Sequence, residues 1–182
     1  WEDGPSDRPD VWFKLYRQIG EGAAEAVPGA DSKQIPATAP FTVTWTDVLQ
    51  ENSAGVAYTF SVREGTHDGV DFTEGAPTGY EITAGQNPLE ITNRYIIPKD
   101  DVTATKVWED GPSDRPDVWF KLYRQAGMGA EEAVPGIDPQ QIPDTEPFTV
   151  QWTDVDMENS AGEAYTFFVK EGIHDGTDFT EG

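Results

Sequence analysis

Cysteine is absent, so neither a disulfide nor a thiolate metal site can form. Small extracellular domains often rely on a covalent staple, and here a disulfide cannot supply it. Basic residues are scarce: 12 Lys and Arg stand against 34 Asp and Glu, a net charge of −22. That balance argues against nucleic acid, whose phosphates need Lys/Arg patches, and against docking on anionic membranes. Its plain consequence is solubility and mutual repulsion. Only two histidines occur, His67 and His174, each before Asp-Gly in a turn-like setting. With no Ser or Cys nucleophile motif and no metal-ligand spacing, neither catalysis on an external substrate nor a metal or cofactor is expected. No apolar run approaches the roughly 20 residues of a membrane span, so this segment is not expected to insert. The sequence starts in mid-pattern at Trp1, so the lack of a leader-like stretch carries no information about export.

What the chain does have is aromatics, 12% of its 182 residues, too many for a disordered acidic tail. It also repeats itself. Residues 1–75 and 108–182 align without a gap at an offset of 107 and agree at 59 of 75 positions. The chain reads as one period and three quarters of the next, a window on a longer array. The boundary falls in Ile97-Pro98-Lys99-Asp100-Asp101. The expected division is therefore 1–97, a repeat lacking its first strand; 98–101, a linker; and 102–182, a repeat lacking its last strand.

Within a repeat, turn chemistry is frequent and no sustained 3.6-residue apolar period appears. In Val11-Trp12-Phe13-Lys14-Leu15-Tyr16-Arg17, Val11, Phe13 and Leu15 point one way and Trp12, Lys14 and Tyr16 the other, which suits a half-buried strand. Residues 103–108, 41–46, 57–64, 80–83 and 89–96 read as further strands. Residues 109–116 form a loop with two prolines, and residues 20–40 are too polar and proline-rich for a core element, with room for a helical turn around 23–26. Six or seven short strands per hundred residues predict an all-β fold of tandem Ig-like β-sandwich domains. The acidic loop Asp3, Asp7 and Asp10, repeated at Asp110, Asp114 and Asp117, lacks the spacing of a calcium loop and reads as proline-pinned. Trp12, Trp45, Trp119 and Trp152 read as packing residues rather than sugar platforms.

Three landmarks then carry a resemblance. Thr105-Lys106-Val107-Trp108-Glu109-Asp110 resembles the opening strand of Cna B-type (collagen-adhesin B) repeats of Gram-positive surface proteins. Ile91-Thr92-Asn93-Arg94-Tyr95 resembles their closing strand. Phe60-Ser61-Val62-Arg63-Glu64, followed by Ala76-Pro77-Thr78-Gly79-Tyr80, is similar to the E-box of pilin subunits of the same fold. The resemblance spans the whole repeat, in the expected order. It implies an intramolecular isopeptide bond between a Lys on the first strand and an Asn on the last, aided by a buried acid. Mapped by register, Lys106 is the nucleophile, Asn93 the acceptor, and Glu64 and Glu171 the assisting acids. Burial favours a neutral amine and a protonated carboxyl, which is the physics the reaction needs.

The chain departs from the simple pattern. Lys106 belongs with Glu171, but their Asn would fall beyond Gly182; Asn93 belongs with Glu64, but their Lys would precede Trp1. Lys106 and Asn93 are half-sites of two different cross-links, and no bond is expected within a single repeat as given. The implied role is non-enzymatic: a structural stalk or fibre-forming repeat of a bacterial cell-surface adhesin or pilus-like filament, extracellular and anchored to a Gram-positive cell wall. Its partners would be neighbouring repeats or adjacent filament subunits. The alternative is a ligand-binding module recognising a host matrix protein or glycan.

Overall fold

The computed structural model describes residues 1–84, 87–111 and 113–182. Pro112, one of the two prolines of the 109–116 loop, lies outside them. Among the described residues there is no helix, and none long and apolar enough to cross a membrane. The chain is all-β and Ig-like, and it divides into two compact units, Trp1–Ile96 and Ile97–Gly182.

Unit 1 is built on β1 (Trp12–Gln18), which pairs antiparallel with β4 (Thr59–His67) along its whole length. The short strands β2 (Glu25–Ala26) and β3 (Lys33–Gln34) line the other edge of β1, and β5 (Phe72–Glu74) extends β4. A second sheet is the hairpin of β6 (Tyr80–Ala84) and β7 (Ile91–Tyr95). Period-2 alternation sorts the β1 side chains as the sequence predicts: Val11 just before the strand and Leu15 within it are buried. Tyr16, on the opposite face, carries the Arg63 guanidinium 4.2 Å above its ring. Instead of a helical turn around 23–26, Glu25 and Ala26 pair with Arg17 and Tyr16. A two-residue β-bridge satisfies those backbone groups against an existing edge, which a lone turn could not do.

Unit 2 repeats the five-stranded sheet with β9 (Trp119–Ala126), β10 (Glu132–Ala133), β11 (Gln140–Gln141), β13 (Tyr165–His174) and β14 (Phe179–Glu181). Its second sheet is different. Here β8 (Lys99–Thr105) pairs antiparallel with β12 (Thr149–Asp156). The expected linker over 98–101 is thus largely strand, since Lys99 and Asp100 pair with Asp156 and Val155. The pairing continues past a bulge after Trp152, where Asp154 adopts φ 57°, a left-handed conformation that Asp tolerates better than most residues. Behind β8 and β12 lies the main core: Phe120, Leu122, Val150, Trp152 and Val155 are buried, with Val102 and Ala104 packed against them. Burying such side chains contributes about 1.5–3 kcal/mol each.

The counterpart of β12 in unit 1 corrects the reading of residues 41–46 as a strand. Those residues are almost identical to 148–153, yet residues 41–50 form no strand. Among the described residues, the partner that β8 supplies to β12 has no counterpart beside them. A β-strand is a pairing as much as a pattern, and an unpaired edge does not hold the ladder. The bulge conformation nevertheless persists, with Asp47 at φ 59°, so it is encoded locally.

Candidate functional site

In unit 1 the site lies between the two sheets. Glu64 of β4 pairs across the ladder with Phe13 of β1, and directly opposed residues share a face, so its carboxyl is turned inward. On β7, Asn93 faces inward while its neighbour Arg94 points outward to Glu2 and Glu81. Glu64 and Asn93 are each only 3% exposed, the buried polar residues of unit 1. Asn93 Nδ2 donates a hydrogen bond of 2.8 Å to Glu64 Oε2. The other two oxygens, Glu64 Oε1 and Asn93 Oδ1, are buried with no partner. They border a cavity of about 60 Å³ closed by Trp1, Phe13, Phe41 and Ile91. Burial pushes the Glu64 carboxyl above its ordinary pKa; the hydrogen bond from the Asn93 amide offsets part of that rise.

Gly65 fixes the carboxyl's place. A Cβ there would sit 2.0 Å from the carbonyl oxygen of Thr73 on β5, so no side chain fits. Gly75 N–H also donates to the Glu64 carbonyl. Gly172 beside Glu171 meets the Thr180 carbonyl in the same way, at 2.1 Å, and Gly182 N–H donates to Glu171. The repeated Glu-Gly dipeptide was visible in the sequence; the strand crossing that demands the glycine was not.

Unit 2 carries the same glutamate in another setting. Glu171 opposes Phe120, and Lys106 Nζ donates to Glu171 Oε2. The Lys106 side chain is 19% exposed and that of Glu171 46%. Lys106 follows Val102 and Ala104 at two-residue spacing, which puts all three on the core-facing side of the β8 run. Its amine also lies 4.7 Å from the Trp108 ring centroid, and Arg115 lies 5.0 Å from the same ring. The Trp108 Nε1 is buried without a partner.

The structure therefore joins Glu64 to Asn93 in unit 1 and Lys106 to Glu171 in unit 2. Glu64 and Glu171 are one position in the repeat. An amide nitrogen reaches Oε2 of one copy and an amine reaches Oε2 of the other. Chemically, the first pair offers an acid and an acceptor amide, the second an acid and a nucleophile.

Reading the sequence alone missed the aromatic contributors around the first pair. Tyr80 is 7% exposed, with Trp1 edge-on at 5.1 Å and Arg8 donating to its hydroxyl. Other motifs resolve into turns. His67 Nδ1 accepts from Gly69 N–H, and Asp68 accepts from the N–H groups of Val70 and Asp71, which holds its carboxyl below the ordinary range. Among the described residues no group of three or more His, Asp or Glu is placed to hold a metal ion.

Residues 102–181 match the family model of the Cna protein B-type domain. Over 111 residues, 60% of this chain, the sequence is 31% identical to a collagen adhesin of Staphylococcus aureus. That stretch is 9% of the relative's length, so the comparison concerns one small part of it. No solved structure matches the chain.

Proposed function

We propose that this chain, whose residues 102–181 are a Cna protein B-type domain, is a piece of the stalk of a bacterial surface adhesin or pilus-like filament, each complete repeat being closed by a Lys–Asn isopeptide bond. The carrying observation is the carboxyl position shared by Glu64 and Glu171, which meets Asn93 in one copy and Lys106 in the other. In a complete repeat both groups would converge on one carboxyl. The lysine amine, losing its proton to the site, would attack Asn Cγ; the new C–N bond forms, the Cγ–Nδ2 bond breaks, and ammonia leaves. The glutamic acid polarises the carbonyl and relays protons, and the raised pKa of Glu64 supports that role. Positioning by the fold replaces an external enzyme.

Joining the first strand to the last closes nearly the whole repeat as a loop. For disulfides, closing ~100 residues is worth roughly 4–5 kcal/mol on the chain-entropy model. Resistance to forced extension is the corresponding kinetic benefit. A stalk at the cell surface, on a chain without cysteine, is where such a staple is useful.

The test adds a copy of residues 76–96 after Gly182, completing the second repeat. Intact mass should fall by about 17 Da, one ammonia. The loss should vanish in Lys106→Ala and Glu171→Ala variants. A folded protein of unchanged mass would refute the cross-link. Binding of a matrix protein is the second reading, favoured by the name of the S. aureus relative. Tight collagen binding by one repeat would support it over the stalk.

A further inference from the structure

We infer that Arg115 is a positioning residue for the Lys106 amine, acting through the indole of Trp108. Its role in the reaction rests on the cross-link reading above, whereas the placement stands on contacts within unit 2. Lys106 carries its amine on a flexible four-carbon stem, so burial alone does not choose where the amine points. Two contacts choose it. Nζ donates to Glu171 Oε2 and also lies 4.7 Å from the centroid of the Trp108 ring. An indole serves as such a stop only if it is itself held. Its polar handle does not hold it, since Trp108 Nε1 is buried without a partner. Phe148 meets the ring edge-on at 6.5 Å, and the Arg115 guanidinium packs on it with its carbon 5.0 Å from the centroid.

Arg115 is in turn tied to the chain that leaves Trp108. Its Nη1 donates to the Asp110 carbonyl at 2.8 Å. Asp110 and Gly111 are both left-handed, at φ 55° and 95°, which reverses the chain just after the tryptophan and brings that carbonyl to the guanidinium. A planar guanidinium can stack on a ring and donate within its own plane at once; an ammonium cannot. Among the described residues Arg115 makes no ion pair, although the chain has 34 Asp and Glu. The ring and the carbonyl are what it serves. Unit 1 repeats the arrangement: Arg8 donates to the carbonyl of Asp3, at φ 59°, and lies 5.4 Å from the centroid of the Trp1 ring. There the tryptophan walls the cavity between Glu64 and Asn93. One tryptophan position thus meets the amine in one copy and the acid–amide pair in the other, which puts an arginine-held indole at the reacting centre.

The experiment makes Arg115→Ala and Arg115→Lys in the whole chain, with Arg124→Ala as the control. Arg124 stacks on Tyr165 at 4.2 Å and pairs with Glu132, a like contact that involves neither Lys106 nor Trp108. In the wild-type chain the terminal side-chain protons of Lys106 should resonate upfield, shifted by the indole ring current. Both Arg115 variants should lose most of that shift, with the amide spectrum of unit 2 still that of a folded domain, and Arg124→Ala should keep it. A Lys106 signal unmoved by Arg115→Ala, or moved equally by Arg124→Ala, would overturn the inference. In the chain extended by residues 76–96 after Gly182, Arg115→Ala should slow ammonia loss by up to about a hundredfold, the order that ~1 Å of misplacement costs. The pH–rate profile should keep its midpoint, because a positioning residue changes how often the amine is aligned and not its affinity for a proton. A profile displaced along the pH axis, or a rate restored by Arg115→Lys, would overturn the inference in favour of a charge effect. If the extended wild-type chain loses no ammonia while the Lys106 signal still depends on Arg115, the cross-link reading falls and the placement stands.

Discussion

The two units are each closed where the other is open. Unit 1 seals the carboxyl of Glu64 beneath its β6–β7 hairpin but leaves residues 41–50 without a strand partner. Unit 2 seals β12 beneath β8 but leaves Glu171 with a half-exposed side chain. The local sequences are nearly the same, so the difference comes from which flanking strand is present. The core sheet is common property; the opening and closing strands decide whether a shared residue is a surface ion pair or a buried acid.

Truncating the two tryptophans should show the contrast at its largest. Trp152→Ala removes a 3% exposed side chain from a filled core and should cost about 3–5 kcal/mol. Trp45→Ala, on the open edge, should cost less than half of that. Denaturant unfolding followed by amide exchange in each unit separately measures both, and equal losses would erase the distinction.

A smaller difference should separate the two glutamates. Glu64→Ala strands the Asn93 amide in a buried site, which costs about 1–3 kcal/mol. Glu171→Ala removes a partly exposed ion pair with Lys106, worth about 0–1 kcal/mol and weakened further by salt. Stability at low and high ionic strength tests the pair together.

The smallest effect is in pH. Because burial raises the folded-state pKa of Glu64, the folded unit binds its proton more tightly than the unfolded chain does. The stability from this group is fully present below the ordinary carboxyl range and is lost as pH rises through the folded pKa. The slope should not exceed about 1.4 kcal/mol per pH unit, and Glu64→Gln should abolish it in unit 1.

Much of this was legible beforehand. The alternation in residues 11–17 forecast β1 and its buried face, and the 107-residue offset forecast that Asn93 goes with Glu64 and Lys106 with Glu171. Two features were not legible. Residues 41–46 carry a strand pattern, but forming a strand also needs a partner that no local window contains. Burial of Glu64 was hidden from the local pattern and entered only through the family resemblance: a carboxylate before Gly at a strand end looks like surface until β5 and β7 are placed around it.

Gly65 and Gly172 bear on how far such copies can diverge. Around them the two halves have drifted: Ser61 has become Phe168, Arg63 Lys170, and Thr66 Ile173. The outer face absorbed the changes by rebuilding its aromatic and cationic contacts, Tyr16 with Arg63 in one copy, Tyr123 with Phe168 and Lys170 in the other. At the glycine there is no room for such repair, because the neighbouring carbonyl occupies the space of the first side-chain atom. Drift along this strand therefore spares the Glu-Gly step while touching positions on both sides of it, leaving the carboxyl at one fixed position in copies whose surfaces differ.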